Sequence, residues 1–242
     1  TFQWAVYFRE IFSFGVPIFF VLSGFLITYL MFREQEKTGK FSVRNFYVRR
    51  VLRIWPVYYL VILIGFVVFP LFRSYVLNEP MSETASPLMY SLFLSNFDQI
   101  STTALPYGVG LGPTWSVSVE EQFYLIWPLF LVLMPRKKFI GAIGFVILTS
   151  LLLTYIFGLS SKHTIYCMLY LSVGSLFGYL AYYHEQFILR IVKVHSVVFL
   201  LSTIGLIIAI YLNVFHVQSF WMILLISVLI GYIIIYQCYG KR

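Results

Sequence analysis

The amino-acid sequence predicts an all-α fold: a polytopic transmembrane helix bundle with about seven spans and one short re-entrant or interfacial segment. Of its 242 residues, 60% are hydrophobic and only 11% are charged, whereas soluble domains average about 25% charged residues. The mean hydropathy is +0.87. Apolar runs of about 20 residues, enough to cross the roughly 30 Å core of a bilayer, recur along the chain. The predicted surroundings are therefore a lipid bilayer.

Each predicted span is one of these apolar runs. The runs cover residues 12–32, 54–72, 115–134, 139–159, 164–183, 196–212 and 217–239. Residues 88–97 are apolar but too few to cross, so this run is predicted to be re-entrant or interfacial. No internal repeat or linker divides the chain. Residues 1–242 are therefore predicted to form a single domain that is part of a larger bundle.

Basic residues predict the orientation of the spans. They concentrate in alternate loops, namely residues 33–53, Arg136–Lys138, Arg190 with Lys193, and the final Lys241 and Arg242. If these loops all lie in the cytoplasm, every loop obeys the positive-inside rule, and residues 73–113, with one basic residue, lie outside. The net charge of +8 then reflects membrane topology, and no nucleic-acid partner is predicted.

The cysteines and histidines predict neither a disulfide framework nor a metal site. Cys167 and Cys238 both fall within apolar spans. The histidines lie at loop edges, and none has a carboxylate or cysteine at metal-ligand spacing. We predict that four histidines are solvated surface residues: His163, His184, His195 and His216.

Glu120 and Glu121 are adjacent acids inside an apolar run that begins at Thr114. A charge near the centre of a membrane helix costs roughly 2.5–3.5 kcal/mol on insertion scales, so intramembrane acids are usually functional. Adjacent carboxylates repel each other, and enzymes use such pairs for proton transfer. The alternative is that the pair lies at the water interface and caps the helix N-terminus, where the macrodipole favours negative charge.

A basic segment, residues 42–56, is predicted to be a cytoplasmic-surface helix with Ser42 as its N-cap. Arg49, Arg50 and Arg53 are predicted to project away from an apolar stripe that has helical spacing. Arginine binds phosphate through a bidentate fork, so the three side chains could hold a polyphosphate. The alternative is ordinary anchoring to lipid headgroups. The stripe consists of Tyr47, Val51, Ile54, Trp55 and Tyr58.

Three stretches, in this order and spacing, resemble the membrane-bound acyltransferase 3 family, the O-acyltransferases of cell-surface polysaccharides. They are GVPIFFVLSGFLIT at residues 15–28, FYVRRVLRIWPVYY at 46–59 and TWSVSVEEQFYLIWP at 114–128. The resemblance covers residues 15–128, and the later spans agree in hydropathy only. It implies a multi-pass protein of the bacterial cytoplasmic membrane.

The resemblance also implies an activity. An acyl group, acetyl in the first instance, would pass from cytoplasmic acyl-CoA to a hydroxyl of an extracytoplasmic glycan or lipid-linked glycan, with no metal involved. Arg49, Arg50 and Arg53 would hold the phosphates of the coenzyme, and Glu120 and Glu121 would line the reaction centre as catalytic residues.

One feature implied by the resemblance does not occur in this sequence. Family members carry a histidine base on a helix before the stretch that matches residues 15–28, and the residues preceding Gly15 contain no histidine. We therefore expect either a fragment of a longer protein or a truncated, non-catalytic homologue. Two rival functions follow: a non-catalytic protein of the same fold that exports or binds a glycan intermediate, and a transporter in which Glu120 and Glu121 relay protons.

Overall fold

The computed structural model describes residues 15–78, 83–102, 106–193, 196–214 and 220–240, and this part of the chain is helical with no strand. It contains eleven α-helices: α1 Gly15–Thr38, α2 Val43–Leu63, α3 Phe69–Val76, α4 Pro87–Ser91, α5 Ser95–Ser101, α6 Thr114–Leu133, α7 Phe139–Phe157, α8 Thr164–Tyr183, α9 Glu185–Lys193, α10 Ser196–Val214 and α11 Phe220–Tyr239. A π-helix, Ile64–Val68, joins α2 to α3, and a 3₁₀ turn, Arg136–Lys138, precedes α7.

Six helices have the length and apolar composition of membrane spans, which confirms the predicted polytopic all-α class. They are Gly15–Thr38, Val43–Val76, Thr114–Leu133, Arg136–Phe157, Thr164–Tyr183 and Trp221–Tyr239. The remaining predicted span, residues 196–212, forms helix α10, within which the described side chains Val198–Ile208 are an apolar stretch, and its status as a span stays a prediction. The chain is a multi-pass membrane protein.

The second span differs from its prediction. The expected surface helix at residues 42–56 and the expected span at 54–72 form one continuous helical segment, Val43–Val76. Its 34 residues extend over about 50 Å at 1.5 Å per residue, more than the bilayer core requires. The arginine-bearing turns are thus the extension of a span. Ser42 is its N-cap as predicted, with its Oγ accepting from the backbone N–H of Asn45 at 3.3 Å.

The apolar run at residues 88–97 forms two short helices, α4 and α5, neither long enough to span. Pro87 begins α4, and the Oγ of Ser86 accepts from the backbone N–H of Met89 as an N-cap. Another short helix, α9, occupies the basic loop after α8, where the sequence predicted no helix. Its Ile188 and Val192 are buried.

The contacts divide the described residues into two compact units. Unit 1 contains α1, α7, α9, α10, α11 and residues 167–183 of α8. Unit 2 contains α2 to α6 and residues 160–166. The single-domain expectation for residues 1–242 stays a prediction.

Helices α1 and α8 of unit 1 run parallel and touch through glycines. A Cβ on Gly174 would lie 2.0 Å from the carbonyl oxygen of Val21, and one on Gly178 would lie 2.6 Å from that of Phe25. A Cβ on Gly24 would lie 2.0 Å from the carbonyl oxygen of another α8 residue. Only glycine permits such approach, so this is the close packing typical of membrane helices.

Unit 2 has a core where α2, the short helices and the loop before α6 meet. Its buried members are Tyr58, Ile62, Ala85, Tyr90, Phe93 and Leu111. Leu111 fits against Gly65 in the π-helix, where a Cβ would lie 2.5 Å from the leucine side chain. A π-helix within an α-helix often marks a functional region, and this core lies beside the candidate site.

Candidate functional site

Helices α2 and α6 of unit 2 run antiparallel and bring together two of the stretches that the sequence singled out. The Tyr47 hydroxyl donates to the carbonyl oxygen of Leu125 at 2.7 Å. Further along α2, the Tyr58 hydroxyl and the Ser118 hydroxyl are 3.3 Å apart. Residue numbers rise on α2 as they fall on α6, which identifies the antiparallel arrangement. The acids and arginines lie between these two contacts.

Glu121 faces α2. Its Oε2 accepts a hydrogen bond from the indole Nε1–H of Trp55 at 3.0 Å. Its Oε1 is buried and has no hydrogen-bond partner among the described residues. Arg50 attracts the carboxylate electrostatically. A buried oxygen without a hydrogen bond costs free energy. Oε1 of Glu121 is therefore a candidate atom for binding a ligand or a reacting group.

Glu120 points elsewhere, because successive residues of a helix diverge by about 100°. It is 4% exposed and shares the most buried face of α6 with Phe123 and Trp127. Neither acid lies in the first turn of α6, where the macrodipole acts. The geometry therefore contradicts the interpretation of the pair as helix-capping residues.

Gln122 ties α6 to α5 and to the first residue of α8. Its Nε2 donates to the carbonyl oxygen of Phe93 at 2.8 Å and to Oδ1 of Asn96 at 3.0 Å. Its Oε1 accepts from the hydroxyl of Thr164. Asn96 in turn donates to the same hydroxyl at 3.0 Å. Three consecutive residues of α6, beginning at Glu120, thus have three different environments.

The three candidate arginines do not share one environment. Arg50 lies over the rings of Phe46 and Tyr124, at 5.4 Å and 4.8 Å from their centroids. Arg49 and Arg53 are exposed. The prediction that all three project away from the apolar stripe is wrong for Arg50, because its guanidinium is held by aromatic faces, an arrangement that cation–π attraction favours.

A second polar cluster joins α5 to the loop before α8. The Nζ of Lys162 donates to Oε1 of Gln99 at 2.9 Å. The Nε2 of Gln99 donates to the Tyr90 hydroxyl and to the carbonyl oxygens of Leu111 and Gly112, at 3.0, 3.3 and 3.0 Å. Burial raises the pKa of Tyr90 to about 12. These groups partner one another, which indicates a structural role.

Two acids fix the backbone of the long loop around α4 and α5. Glu83 accepts from the backbone N–H groups of Tyr107 and Gly108 at 3.3 and 2.6 Å. Asp98 accepts from the backbone N–H of Ser86 at 3.2 Å. Burial raises the pKa of the Asp98 carboxyl above its ordinary value, although this hydrogen bond opposes the rise. Both carboxylates hold the loop in place.

The histidines that the structure describes differ from each other. His184 is exposed, as predicted. His163 is half-buried, which contradicts its prediction as a solvated residue. Its ring stands edge-on to Phe97 at 5.3 Å, and its Nδ1 accepts from the backbone N–H of Ile165 at the start of α8. Burial lowers the pKa of His163.

His195 and His216 lie outside the described residues. Among the residues that the structure covers, no group of three or more histidine, cysteine or acidic side chains is arranged to hold a metal ion. Cys167 is buried and Cys238 is exposed, and both are free thiols.

Sequence reasoning missed two contributors to the site. Trp55 was assigned to the apolar stripe, and its indole N–H gave no signal of a carboxylate partner 66 positions away. Phe93 was part of a run judged by hydropathy alone, yet its carbonyl oxygen accepts from Gln122 and its ring contacts Trp55. The sequence offered one weak signal for Trp55 and Phe93, namely that both lie within a few positions of polar residues.

Comparison with known proteins identifies the class to which this architecture belongs. The profile of the family described as "Acyltransferase domain" (Acyl_transf_3) matches residues 1–242. The chain belongs to this family, and the resemblance inferred from the three stretches is confirmed. No solved structure matches the chain.

Two relatives illustrate the similarity. The chain is 35% identical over 148 residues to "Putative peptidoglycan O-acetyltransferase YrhL" of Bacillus subtilis (strain 168), covering 56% of the chain and 23% of that protein. It is 34% identical over 122 residues to "Peptidoglycan O-acetyltransferase OatA" of Listeria monocytogenes serovar 1/2a, covering 49% of the chain and 19% of that protein. The matched region is thus less than a quarter of either relative.

Proposed function

We propose that this chain forms part of a bacterial membrane O-acyltransferase that moves an acyl group, acetyl in the first instance, from acyl-CoA to a hydroxyl of an envelope glycan of the peptidoglycan class. The observation that carries the proposal is Glu121: a carboxylate within a membrane span, with one oxygen hydrogen-bonded to Trp55 and the other buried and without a hydrogen-bond partner in the described part of the chain. Family membership and the names of the relatives support the reaction class and the acceptor.

In the proposed reaction, the acceptor oxygen forms a bond to the acyl carbon and the thioester C–S bond breaks. We assign to Oε1 of Glu121 the step that the resemblance gives to a histidine base: it takes the hydroxyl proton and passes it to the leaving thiolate, so that no proton is gained or lost. Transfer of a proton to a positioned side chain contributes typically 10²- to 10⁴-fold to rate. Glu120 is assigned to packing, because it lies on the buried face of α6.

The donor site is proposed at the N-terminal turns of α2. Arg49 and Arg53 are exposed and one turn apart, a spacing from which two guanidinium groups could contact the coenzyme phosphates through bidentate hydrogen bonds. Arg50, held over Tyr124, would place its charge between the phosphates and Glu121. No metal is required by this scheme.

An assay with the full-length protein in membrane vesicles tests the function. Radiolabelled acetyl-CoA and peptidoglycan fragments should give labelled glycan with the wild type and at least about hundredfold less with Glu121→Gln, which keeps size but cannot take a proton. A Thr149→Ala change on α7, where the side chain bonds, among the described residues, only to its own helix backbone, is the matched control. Glycan binding without transfer by the wild type would instead support the non-catalytic rival of the same fold.

The donor-side assignment depends on the predicted orientation, which a labelling experiment checks. In a background with Cys167 and Cys238 replaced by Ala, cysteines at Lys40 and Lys137 should react only with reagent on the cytoplasmic side. A cysteine at Ser101 should react only from outside. Cytoplasmic labelling at Ser101 would overturn the orientation and, with it, the donor role of the arginines.

A further inference from the structure

Trp55 fixes one end of the Glu121 carboxylate. A carboxylate turns freely about its last bond unless a donor holds one oxygen, and the indole N–H holds Oε2 at 3.0 Å. Oε1 is then the atom left for another group. An indole N–H is a donor only, so Trp55 can orient and stabilise the ionised carboxylate but cannot carry the transferred proton.

The Trp55 ring is itself held by aromatic neighbours. It meets Tyr59 edge-on, with ring centroids 5.9 Å apart, and it meets Phe93 at 5.5 Å with the planes tilted by 38°. Both distances lie in the range at which aromatic pairs attract. One neighbour is on α2 itself, whereas the other comes from the short segment between α4 and α5.

Phe93 has a left-handed backbone conformation. Its φ is 56°, in the left-handed region that bulky residues rarely adopt and that persists only where the surroundings require it. Its ring stacks on Tyr58 at 4.2 Å and meets Trp55 at 5.5 Å with the planes tilted. Its carbonyl oxygen accepts from Gln122, the residue after Glu121. Phe93 therefore contacts both Trp55, which holds the Glu121 carboxylate, and Gln122, which follows Glu121 on α6.

We propose that Trp55 is a positioning residue for acyl transfer, which aligns Glu121 so that its free oxygen meets the reacting proton, and that Phe93 holds Trp55 in place. This inference rests on the proposed function. The non-spanning segment of α4 and α5 would then have a role that its hydropathy did not suggest. Through Phe93 and Trp55, this segment would help to set the orientation of the Glu121 carboxylate on α6.

The charged and titratable groups that act on Glu121 come from α2. Arg50 attracts the carboxylate, and the Tyr58 hydroxyl also interacts with it electrostatically. Within the residues that the structure describes, neither donates a hydrogen bond to it, whereas Trp55 does. Removal of the indole N–H should therefore change the ionisation of Glu121 while Arg50 and Tyr58 stay in place.

The first test does not depend on activity. In the full-length protein in nanodiscs with ¹⁵N-labelled tryptophan, the Trp55 indole N–H resonance is identified by its loss in Trp55→Phe. We expect it to move with pH in the wild type and to be shifted and independent of pH in Glu121→Gln. Glu120→Gln is the matched control and should leave it in place. A Trp55 resonance unaffected by Glu121→Gln would overturn the inference.

The second test uses the pH profile of kcat. Trp55→Phe keeps a ring against Phe93 but lacks the donor, so kcat should fall about tenfold, the effect of one lost hydrogen bond to a charged group, with little change in KM for acyl-CoA. The acid limb of the profile should move to higher pH. Phe93→Leu should change kcat in the same direction by a smaller factor, and Trp221→Phe, on an exposed surface, should change neither.

The activities of the two variants distinguish a failure of the proposed function of Glu121 from a failure of the positioning role of Trp55. If Glu121→Gln is as active as the wild type, the proposed function of Glu121 fails whatever Trp55→Phe does. If Glu121→Gln is inactive while Trp55→Phe keeps the wild-type kcat and pH profile, the proposed function stands and the positioning role of Trp55 is refuted.

Discussion

Helices α1 and α8 of unit 1 approach each other through glycines along their length, whereas α2 and α6 of unit 2 are joined along their length by side-chain hydrogen bonds. In unit 1, the Ser175 hydroxyl donates to the carbonyl oxygens of Leu171 and Gly24, and a hydrogen bond between side chains, from Tyr182 to Glu36, lies at the last turns of the two helices. Unit 2 contains hydrogen bonds from Tyr47 to the Leu125 carbonyl oxygen, from Trp55 to Glu121 and from Gln122 to Asn96.

The difference shows two ways to hold helices together in an apolar environment. Close packing of small residues depends on shape, and a single added methyl group disrupts it. Polar contacts contribute only modestly to helix association in membranes, and buried polar groups require complete partnering. The density of polar groups in unit 2, with one carboxylate oxygen left over, indicates a region retained for chemistry.

The largest effect should distinguish the two adjacent acids. In the full-length protein, Glu121→Gln should reduce transfer at least about hundredfold at an unchanged protein level. Glu120→Gln should mainly reduce stability, because its side chain is 4% exposed on the buried face of α6. Transfer per amount of folded protein measures both. Equal losses of transfer activity in the two variants, or full activity in both, would contradict the different roles assigned to Glu120 and Glu121.

The arginines should show the next effect. Arg53→Ala should weaken donor use by about 1.5–3 kcal/mol per lost charge-assisted hydrogen bond, or at least about tenfold in KM for acyl-CoA. Arg53→Lys should rescue it poorly, because a point charge does not replace the guanidinium fork. Arg50→Ala should also weaken donor use, because in the proposed site its charge lies between the phosphates and Glu121. Arg44→Ala, on the first turn of the same helix, is the control for general loss of positive charge.

The result that would contradict this prediction is wild-type donor KM in both Arg50→Ala and Arg53→Ala. The two residues would then be anchors to lipid headgroups. Arg50 would retain a structural explanation through its contact with Tyr124, but Arg53 would not.

Unit 1 should respond to shape instead of charge. Gly174→Ala places a methyl group 2.0 Å from the Val21 carbonyl oxygen, so it should destabilise the protein by about 1–3 kcal/mol through overpacking. Gly144→Ala on α7 has open space around its Cβ position and should be neutral or slightly stabilising. Thermal unfolding of the detergent-solubilised protein compares them. Equal melting temperatures would refute the glycine-contact explanation.

The smallest effect concerns His163, whose pKa is lowered by burial. The folded protein favours the neutral ring, which accepts from Ile165, while the unfolded chain binds a proton near the ordinary value of about 6.5. Stability should therefore be present above that pH and decrease as pH falls through it. His163→Asn can cap α8 without titrating and should remove this dependence. Identical pH dependence in both proteins would contradict it.

Much of the fold was predictable from sequence because span length, apolar run and loop charge are local properties. The spans at Thr164–Tyr183 and Thr114–Leu133 were predicted to within a residue or so, and so were the N-cap at Ser42 and the non-spanning residues 88–97. The continuity of Val43–Val76 was missed, because the arginine-bearing segment was predicted to be a separate surface helix. The family also followed from linear motifs.

The sequence by itself determined the helical class, the candidate acids and arginines, and the angle of about 100° between Glu120 and Glu121. Only the tertiary structure decided which acid meets Trp55, that Arg50 lies over Tyr124, and that Phe93 adopts a left-handed backbone beside them. The physical reason is that helical periodicity gives the direction of a side chain but not the neighbour it meets. That neighbour depends on how residues far apart in the chain pack together.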